Sequence, residues 1–438
     1  MTRGSSLKLV YGFALPMLVG NIFQQMYNFA DTAIVGKFVG DSALASVGST
    51  AGVVSILFCW IMGFTNGAGI IISQCLGARK YGELKKTVTA IIYIICVLSL
   101  LITVLGYFLS RPMLSLLAIP ENLMDGSVLY IRILFLFMGA AVVYNASGSI
   151  LRSLGDSRTP LIALIISTFI NIGLDLLFIA KFGWGIAGAA VATGIAEAAS
   201  AVFNIVILVR NRHALYLESI PIKPKAVHIF KIIKTGLPAA LESSLLSLGT
   251  LSVQRLINSL GEQTIAAYTA ATKIDSIAIS PIISVGSSLS VFSAQNVGAK
   301  KTDRIRDGLY KTLFSLIGIC IMIAAFIVIF RYRLLGIFLK DEVSIGIGAK
   351  YLTIVSIAYI IAAVMRTYLN VLRGAGDVNT SAVAGMSELG ARIVLAYILV
   401  IPLGATGIFI ATPLSWFCGA TIPVIRYYSG KWKTKRLI

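Results

Sequence analysis

Four oxygen-bearing side chains, Asp31, Asn171, Asp175 and Thr193, have the types and the placement to handle a cation. Six of the 18 acidic residues fall inside long apolar runs: Asp31, Asp175, Glu197, Glu242, Asp275 and Glu388. An ionised acid at the middle of a membrane helix costs about 2.5–3.5 kcal/mol on insertion scales, so each should face protein or water and have a partner or a task. Asp31 and Asp175 lie about five residues, and Thr193 about eight, from the same side of their runs. At about 1.5 Å per residue, all three sit roughly 7–12 Å below one surface. Asn171 precedes Asp175 by four residues and so shares its helical face. Two carboxylates, an amide and a hydroxyl could hold Na⁺ through hard oxygen ligands. Alternatively, two like charges at short range favour taking up a proton. The plainer reading is that Asp175 bonds a neighbouring helix and Asp31 lines water.

The other intramembrane charges have simpler readings. Glu388 and Arg392 are spaced i, i+4 and read as a structural ion pair. Glu242, Lys273, Asp275 and Tyr27 are candidate linings of a substrate cavity. For Glu242 the alternative is a buried, hydrogen-bonded carboxyl, and for Tyr27 and Phe29 ordinary helix packing. Lys273 and Asp275 lie too close in sequence to share a face. Arg255 reads as snorkelling near a helix end, and Arg366 lies toward the inner end of its span. Pro16, Pro238 and Pro281 interrupt long runs; a mid-helix proline frees a carbonyl and permits a kink, hinge or static bend alike.

The elements that must position these residues are set by composition. The chain has 438 residues, 57% apolar and 13% charged, against about 45–50% and 25% in soluble chains. With a mean hydropathy of +0.90, this excludes a soluble enzyme, a disordered chain and a nucleic-acid module. It predicts an all-α integral membrane protein. A transmembrane helix needs about 20 apolar residues, and twelve such runs fit near 8–36, 43–75, 87–110, 127–151, 160–180, 185–209, 230–259, 264–297, 309–331, 348–373, 380–401 and 406–428. The runs are continuously apolar, which argues against a β-barrel.

The net charge of +19 reads as basic cytoplasmic loops. With the N-terminus inside, 25 Lys and Arg fall on the inner side, eight on the outer side, and Arg255, Lys273, Arg366 and Arg392 within spans. Both termini are therefore expected in the cytoplasm. The five cysteines lack CxxC spacing, predicting neither a disulfide framework nor a metal site. There is no P-loop, no HExxH and no TVGYG-type filter, so ATP hydrolysis, zinc chemistry and potassium conduction lose their usual signatures. No cofactor beyond a coupling ion is expected.

The halves repeat. "SQCLGARKYGE" answers "SAQNVGAKKTD" and "SILRSLGDSRT" answers "NVLRGAGDVNT", both at an offset of 221. "VGDSALA" answers "LGEQTIA", "GIAGAAVAT" answers "GATGIFIAT" at 219, and Pro16 answers Pro238. Each repeat holds six spans, an even number, so both share one orientation. Parallel repeats of this kind are related by an axis along the membrane normal, with a cavity at their interface. The expected organisation is an N-terminal lobe at 1–209, a polar cytoplasmic linker at 210–229 holding Pro221 and Pro224, and a C-terminal lobe at 230–438, with the two pseudo-symmetric lobes around a central cavity.

The segments "ALPMLVGNIFQQMYNFADTAIVG" and "GLPAALESSLLSLGTLSVQRLINSLGEQTIAAYTAATKID", with the paired "LRSLGD" and "LRGAGD" loops, resemble the MATE (multidrug and toxic compound extrusion) transporters over essentially the whole chain. The likeness looks closer to the prokaryotic DinF-like branch. The resemblance implies export of organic cations driven by inward flow of H⁺ or Na⁺ through alternating access, by a monomer without enzymatic activity. It also implies a cation site at Asp31, the Asn171–Asp175 pair and Thr193. Some branches carry essential acids deep in the seventh and tenth spans. Here Glu242 sits earlier in its span and the tenth span has no acid. A flippase for a lipid-linked saccharide or other lipid, which shares the broader fold, is the alternative.

Overall fold

The computed structural model describes residues 1–116, 119–213, 215–218, 220 and 223–438; the expected linker residue Pro221 lies outside them. Helices occupy nearly all of the described residues, and no strand occurs among them. In chain order they are α1 (Ser6–Phe38), α2 (Asp41–Gly77), α3 (Tyr81–Leu116), α4 (Glu121–Leu154), α5 (Arg158–Asp175), α6 (Gly185–Arg210), α7 (Ala226–Asn258), α8 (Glu262–Gly298), α9 (Thr302–Gly336), α10 (Glu342–Ile357), α11 (Tyr359–Ala375), α12 (Val378–Leu403) and α13 (Ala405–Tyr428).

Ten of these helices are long and apolar enough to cross a membrane singly, and α10 with α11 makes an eleventh span bent by 46°. The remaining segment, α7, is 33 residues long. It carries Lys231, Lys234, Glu242 and Arg255 along with a run of serines, which lowers its apolar content. With α7 the chain has the twelve expected segments. Large apolar side chains such as Phe108, Phe169, Phe314 and Ile329 point outward, while small and hydroxylated residues are frequent inside. Helices in lipid pack this way, because close approach of backbones rather than apolar burial drives their association.

The repeat is written into the backbone. Left-handed φ values recur 221 residues apart at Gly40 (105°) and Gly261 (93°), Arg79 (56°) and Lys300 (58°), and Gly155 (101°) and Gly376 (98°). Gly185 (55°) and Gly404 (57°) recur at 219. The N–H of Gly155 closes α4 onto the carbonyls of Arg152 and Leu151, and that of Gly376 closes α11 onto Arg373 and Leu372. The same helix stop is therefore used in both halves.

Two places break the symmetry. In the first half α4 is one continuous helix, whereas its counterpart is interrupted at Ala358 between α10 and α11. In addition, α5 runs into a π-helical turn at Leu176–Lys181, where the N–H of Phe182 reaches the carbonyl of Leu177.

The chain divides into two compact units. One comprises Met1–Leu15, Gly77–Arg79 and Leu241–Ile438, the other Pro16–Leu76 and Lys80–Ala240. The start of α1 thus belongs with the C-terminal half and the start of α7 with the N-terminal half. Pro16 opens its unit and Pro238 lies three residues before the other division. In the first unit the N-terminal ammonium donates to Gln295 Oε1 at 2.9 Å, and Ser6 Oγ donates to Asp307 Oδ2 at 2.8 Å. In the second unit buried His228 on α7 meets Glu83 on α3 at 2.7 Å.

Candidate functional site

The four residues of the predicted cluster lie on three helices of the second unit. Asp31 comes from α1, Asn171 and Asp175 from the end of α5, and Thr193 from the third turn of α6. Asn171 and Asp175 are fully buried and Asp31 is partly so. The Asp31 and Asp175 carboxyls are close enough to interact directly. Even so, Asp31 Oδ1, both oxygens of Asp175 and both polar atoms of Asn171 complete no hydrogen bond of normal geometry. A buried polar group left in that state costs about 1–3 kcal/mol. The cluster is therefore a set of oxygens oriented toward one another and short of a positive partner.

Tyr27 belongs to this cluster. It stands one helical turn before Asp31, and its hydroxyl donates to Thr193 Oγ1 at 3.3 Å, tying α1 to α6. Two further groups were outside the four-residue reading. Tyr130 of α4 lies within electrostatic reach of Asp31, Asp175 and Glu197, and Glu197 stands one turn beyond Thr193 on α6. The i+4 spacing of Thr193 and Glu197 is visible in the sequence, but nothing in it marks Tyr130.

The side of the cluster toward the α1–α2 turn is dry. Val35, Ile179 and Ala189 each lie four residues from Asp31, Asp175 and Thr193, on the side nearer that turn. They are buried together with Ala43, Ala190 and Tyr130. The same three helices thus carry polar oxygens on one level and an apolar layer on the next. The π-helical turn begins directly after Asp175. Such single-turn π segments recur at functional sites because they break the regular backbone pairing. Beyond it the chain turns back through Gly183 and Gly185, and Phe178 stacks on Trp184 with centroids 4.8 Å apart.

The remaining predicted residues lie in the first unit. Glu242 is buried and accepts two hydrogen bonds from Arg373 Nη2 at 2.8 and 2.9 Å. Gly385 permits this: a Cβ there would stand 2.6 Å from Glu242 Cγ. Asp275 accepts from the Tyr359 hydroxyl at 2.5 Å and from Tyr351 at 3.5 Å. Lys273 is exposed, with its ammonium 6.0 Å from the Phe338 ring centroid. Arg392 donates to Glu388 Oε1 at 2.7 Å. Among the described residues no group of three His, Cys, Asp or Glu side chains is placed to hold a metal ion.

Twelve membrane segments in two repeated sets of six, with a carboxylate cluster buried in one set, define a polytopic helical membrane protein built on the plan of a secondary transporter. The MatE family model matches residues 16–177 and again 238–398, and the chain belongs to that family of multidrug efflux transporters. It is 29% identical to the probable multidrug resistance protein YoeA of Bacillus subtilis, over 97% of this chain and 94% of the other. It is 27% identical to the probable multidrug resistance protein YpnP of the same organism, over 100% and 98%. Among solved structures, a multidrug resistance MATE transporter in an outward-facing conformation superposes with a TM-score of 0.92 at 22% identity, covering 99% of this chain and 98% of that one. The Vibrio cholerae MATE transporter VcmN superposes at 0.90 and 21%, covering 97% of each. The match to efflux proteins favours that class over a lipid flippase.

Proposed function

We propose that this protein exports organic cations by antiport with H⁺ or Na⁺, with the coupling ion bound at Asp31, Asn171, Asp175 and Thr193. The observation that carries the reading is the set of unpartnered oxygens on Asp31, Asn171 and Asp175, buried where an uncompensated charge is costly. A proton on one carboxyl, or a sodium ion among the oxygens, relieves that cost, and the donor set suits either. Tyr27 holds Thr193 in place through its hydroxyl. The apolar layer at Val35, Ile179 and Ala189 closes the cluster on one side.

Ion binding drives transport only through unequal affinity for the two states of the carrier. The α1 and α5 carboxyls must therefore change separation between outward-open and inward-open forms. Export runs on the stroke opposite to ion entry, by alternating access, with both termini in the cytoplasm and the monomer as the working unit.

The test uses liposomes holding wild type or Asp175→Asn, which keeps the side-chain size and removes the charge. A fluorescent organic cation is followed under an imposed pH gradient and then under a sodium gradient. Wild type should transport under one of them and the variant under neither. Gradient-driven transport by Asp175→Asn, or none by folded wild type under either gradient, would overturn the assignment.

A further inference from the structure

At the end of the first unit where α9 begins and α13 stops, the last residues of the chain build a pocket. Trp432 is buried in a 3₁₀ turn at Lys431–Thr434, donates through Nε1 to the Tyr427 carbonyl at 3.0 Å, and stacks on the Tyr427 ring with centroids 5.4 Å apart. The tail then crosses the end of α11, where a Cβ on Gly376 would stand 2.5 Å from the Lys435 carbonyl. The tail backbone is thus docked, which sets where Lys433 leaves the chain.

Between this turn and α9 lies a cavity of 270 Å³, its walls including Arg306, Tyr310, Tyr427, Tyr428, Trp432 and Lys433. The hydroxyl of Tyr428 is 3.0 Å from that of Tyr310 and 3.1 Å from that of Tyr368. Asp303 also lines the cavity, but the nearby Asp307 is occupied by Lys311 at 2.6 Å. Arg306 and Lys433 have no carboxylate partner among the described residues. An adjoining hollow of 640 Å³ shares Asp303, Arg306 and Tyr310 and continues past the Asp307–Lys311 pair to Leu7 and Phe314.

Arg306, Tyr310 and Phe314 are spaced i, i+4, i+8 and form one stripe along α9, each step about 6 Å. The stripe passes from guanidinium to phenol to an apolar ring that is 71% exposed. That sequence of chemistries follows a phospholipid from phosphate through its ester region to its acyl chain. The cluster of four tyrosines and a tryptophan at this level is the composition of a membrane–water interface. Basic pockets at helix ends on the positively charged side bind anionic headgroups.

We propose that this pocket binds the phosphate headgroup of an anionic phospholipid, held by Arg306, Lys433 and the Tyr310–Tyr428 hydroxyls, with an acyl chain along Phe314. A free phosphate would use the same cations but gain nothing from the apolar end of the stripe.

The test measures lipid retained by the purified full chain in native mass spectrometry, from detergent micelles containing phosphatidylglycerol or phosphatidylcholine. Wild type should keep one phosphatidylglycerol in preference to phosphatidylcholine. Arg306→Gln and Lys433→Gln should each lower retention about fivefold, Arg306→Lys should restore most of it, and Lys340→Gln at the opposite end should change nothing. Equal retention of the two lipids, or undiminished retention in the double variant Arg306→Gln/Lys433→Gln, would overturn the proposal. So would removal of the lipid by excess inorganic phosphate, which would make the pocket a free-anion site. Both substituted side chains are exposed, so an unchanged thermal unfolding midpoint serves as the folding control.

Discussion

Asn171 is fully buried, and neither its amide nitrogen nor its oxygen completes a hydrogen bond. A side chain kept in that condition lowers the stability of the fold, by about 1–3 kcal/mol for such groups. Leucine keeps the same branched side-chain skeleton, with bulkier methyl ends and no polar atoms to leave unpaired. Asn171→Leu should therefore hold or raise the thermal unfolding midpoint in detergent while lowering ion-coupled transport about tenfold, the effect of losing roughly 1.4 kcal/mol of ion binding. If the midpoint falls sharply, the amide is a structural tie; if transport is unchanged, Asn171 is no part of the ion site. Glu242 makes the contrast. Its carboxylate is equally buried, but Arg373 satisfies it with two short hydrogen bonds. It therefore has no comparable need for a transported ion.

At the scale of elements, the repeat fixes where helices must start and stop, and Gly261 at the start of α8 and Gly376 at the end of α11 separate backbone strain from crowding. Both have positive φ: Gly376 (98°) is left-handed helical, whereas Gly261 (φ 93°, ψ 165°) lies in a region that is essentially glycine's alone, and such backbones cost an L-residue about 1–3 kcal/mol. A Cβ on Gly261 meets nothing within 4 Å, whereas one on Gly376 would press to 2.5 Å from the Lys435 carbonyl. Gly261→Ala should lose about 1–3 kcal/mol by denaturant or thermal titration with the tail still protected, whereas Gly376→Ala should in addition release the C-terminal tail to proteolysis. A tail as protease-resistant in Gly376→Ala as in wild type would mean that the tail does not press on Gly376. These glycines are visible in the paired "VGDSALA"/"LGEQTIA" and "LRSLGD"/"LRGAGD" segments. So are the helical runs and the shared depth of Asp31, Asn171, Asp175 and Thr193, because depth and i+4 spacing are local properties. The pairing of Glu388 with Arg392 is local in the same sense. The π-helical turn after Asp175 is not legible: its residues, LLFIAK, would continue an α-helix equally well. Nor is the bend at Ala358, which has neither proline nor glycine beside it. The Glu242–Arg373 pair joins residues 131 apart in the chain, and only the packing of α7 against α11 brings them together. Tyr130 reaches the acids in the same way, through tertiary placement of an ordinary aromatic position.

At the scale of the whole molecule, the proposed orientation rests on two facts that do not depend on any site. Six spans per repeat is an even number, so the two halves enter the membrane the same way and both termini share one side. Of the 37 Lys and Arg, 25 lie at the ends of the spans on the side of the termini and eight on the other, and positively charged loops are retained in the cytoplasm. A fluorescent protein fused after Ile438 should therefore fold and fluoresce, while alkaline phosphatase at the same point stays inactive. Phosphatase inserted at Phe182, in the turn between α5 and α6, should be active. The same argument places the Arg306–Lys433 pocket against the inner leaflet and the apolar layer of Val35, Ile179 and Ala189 between the acid cluster and the outside. Active phosphatase at the C-terminus would reverse all three placements together. The direction assigned to ion entry would reverse with them, while the composition of the acid cluster would stand.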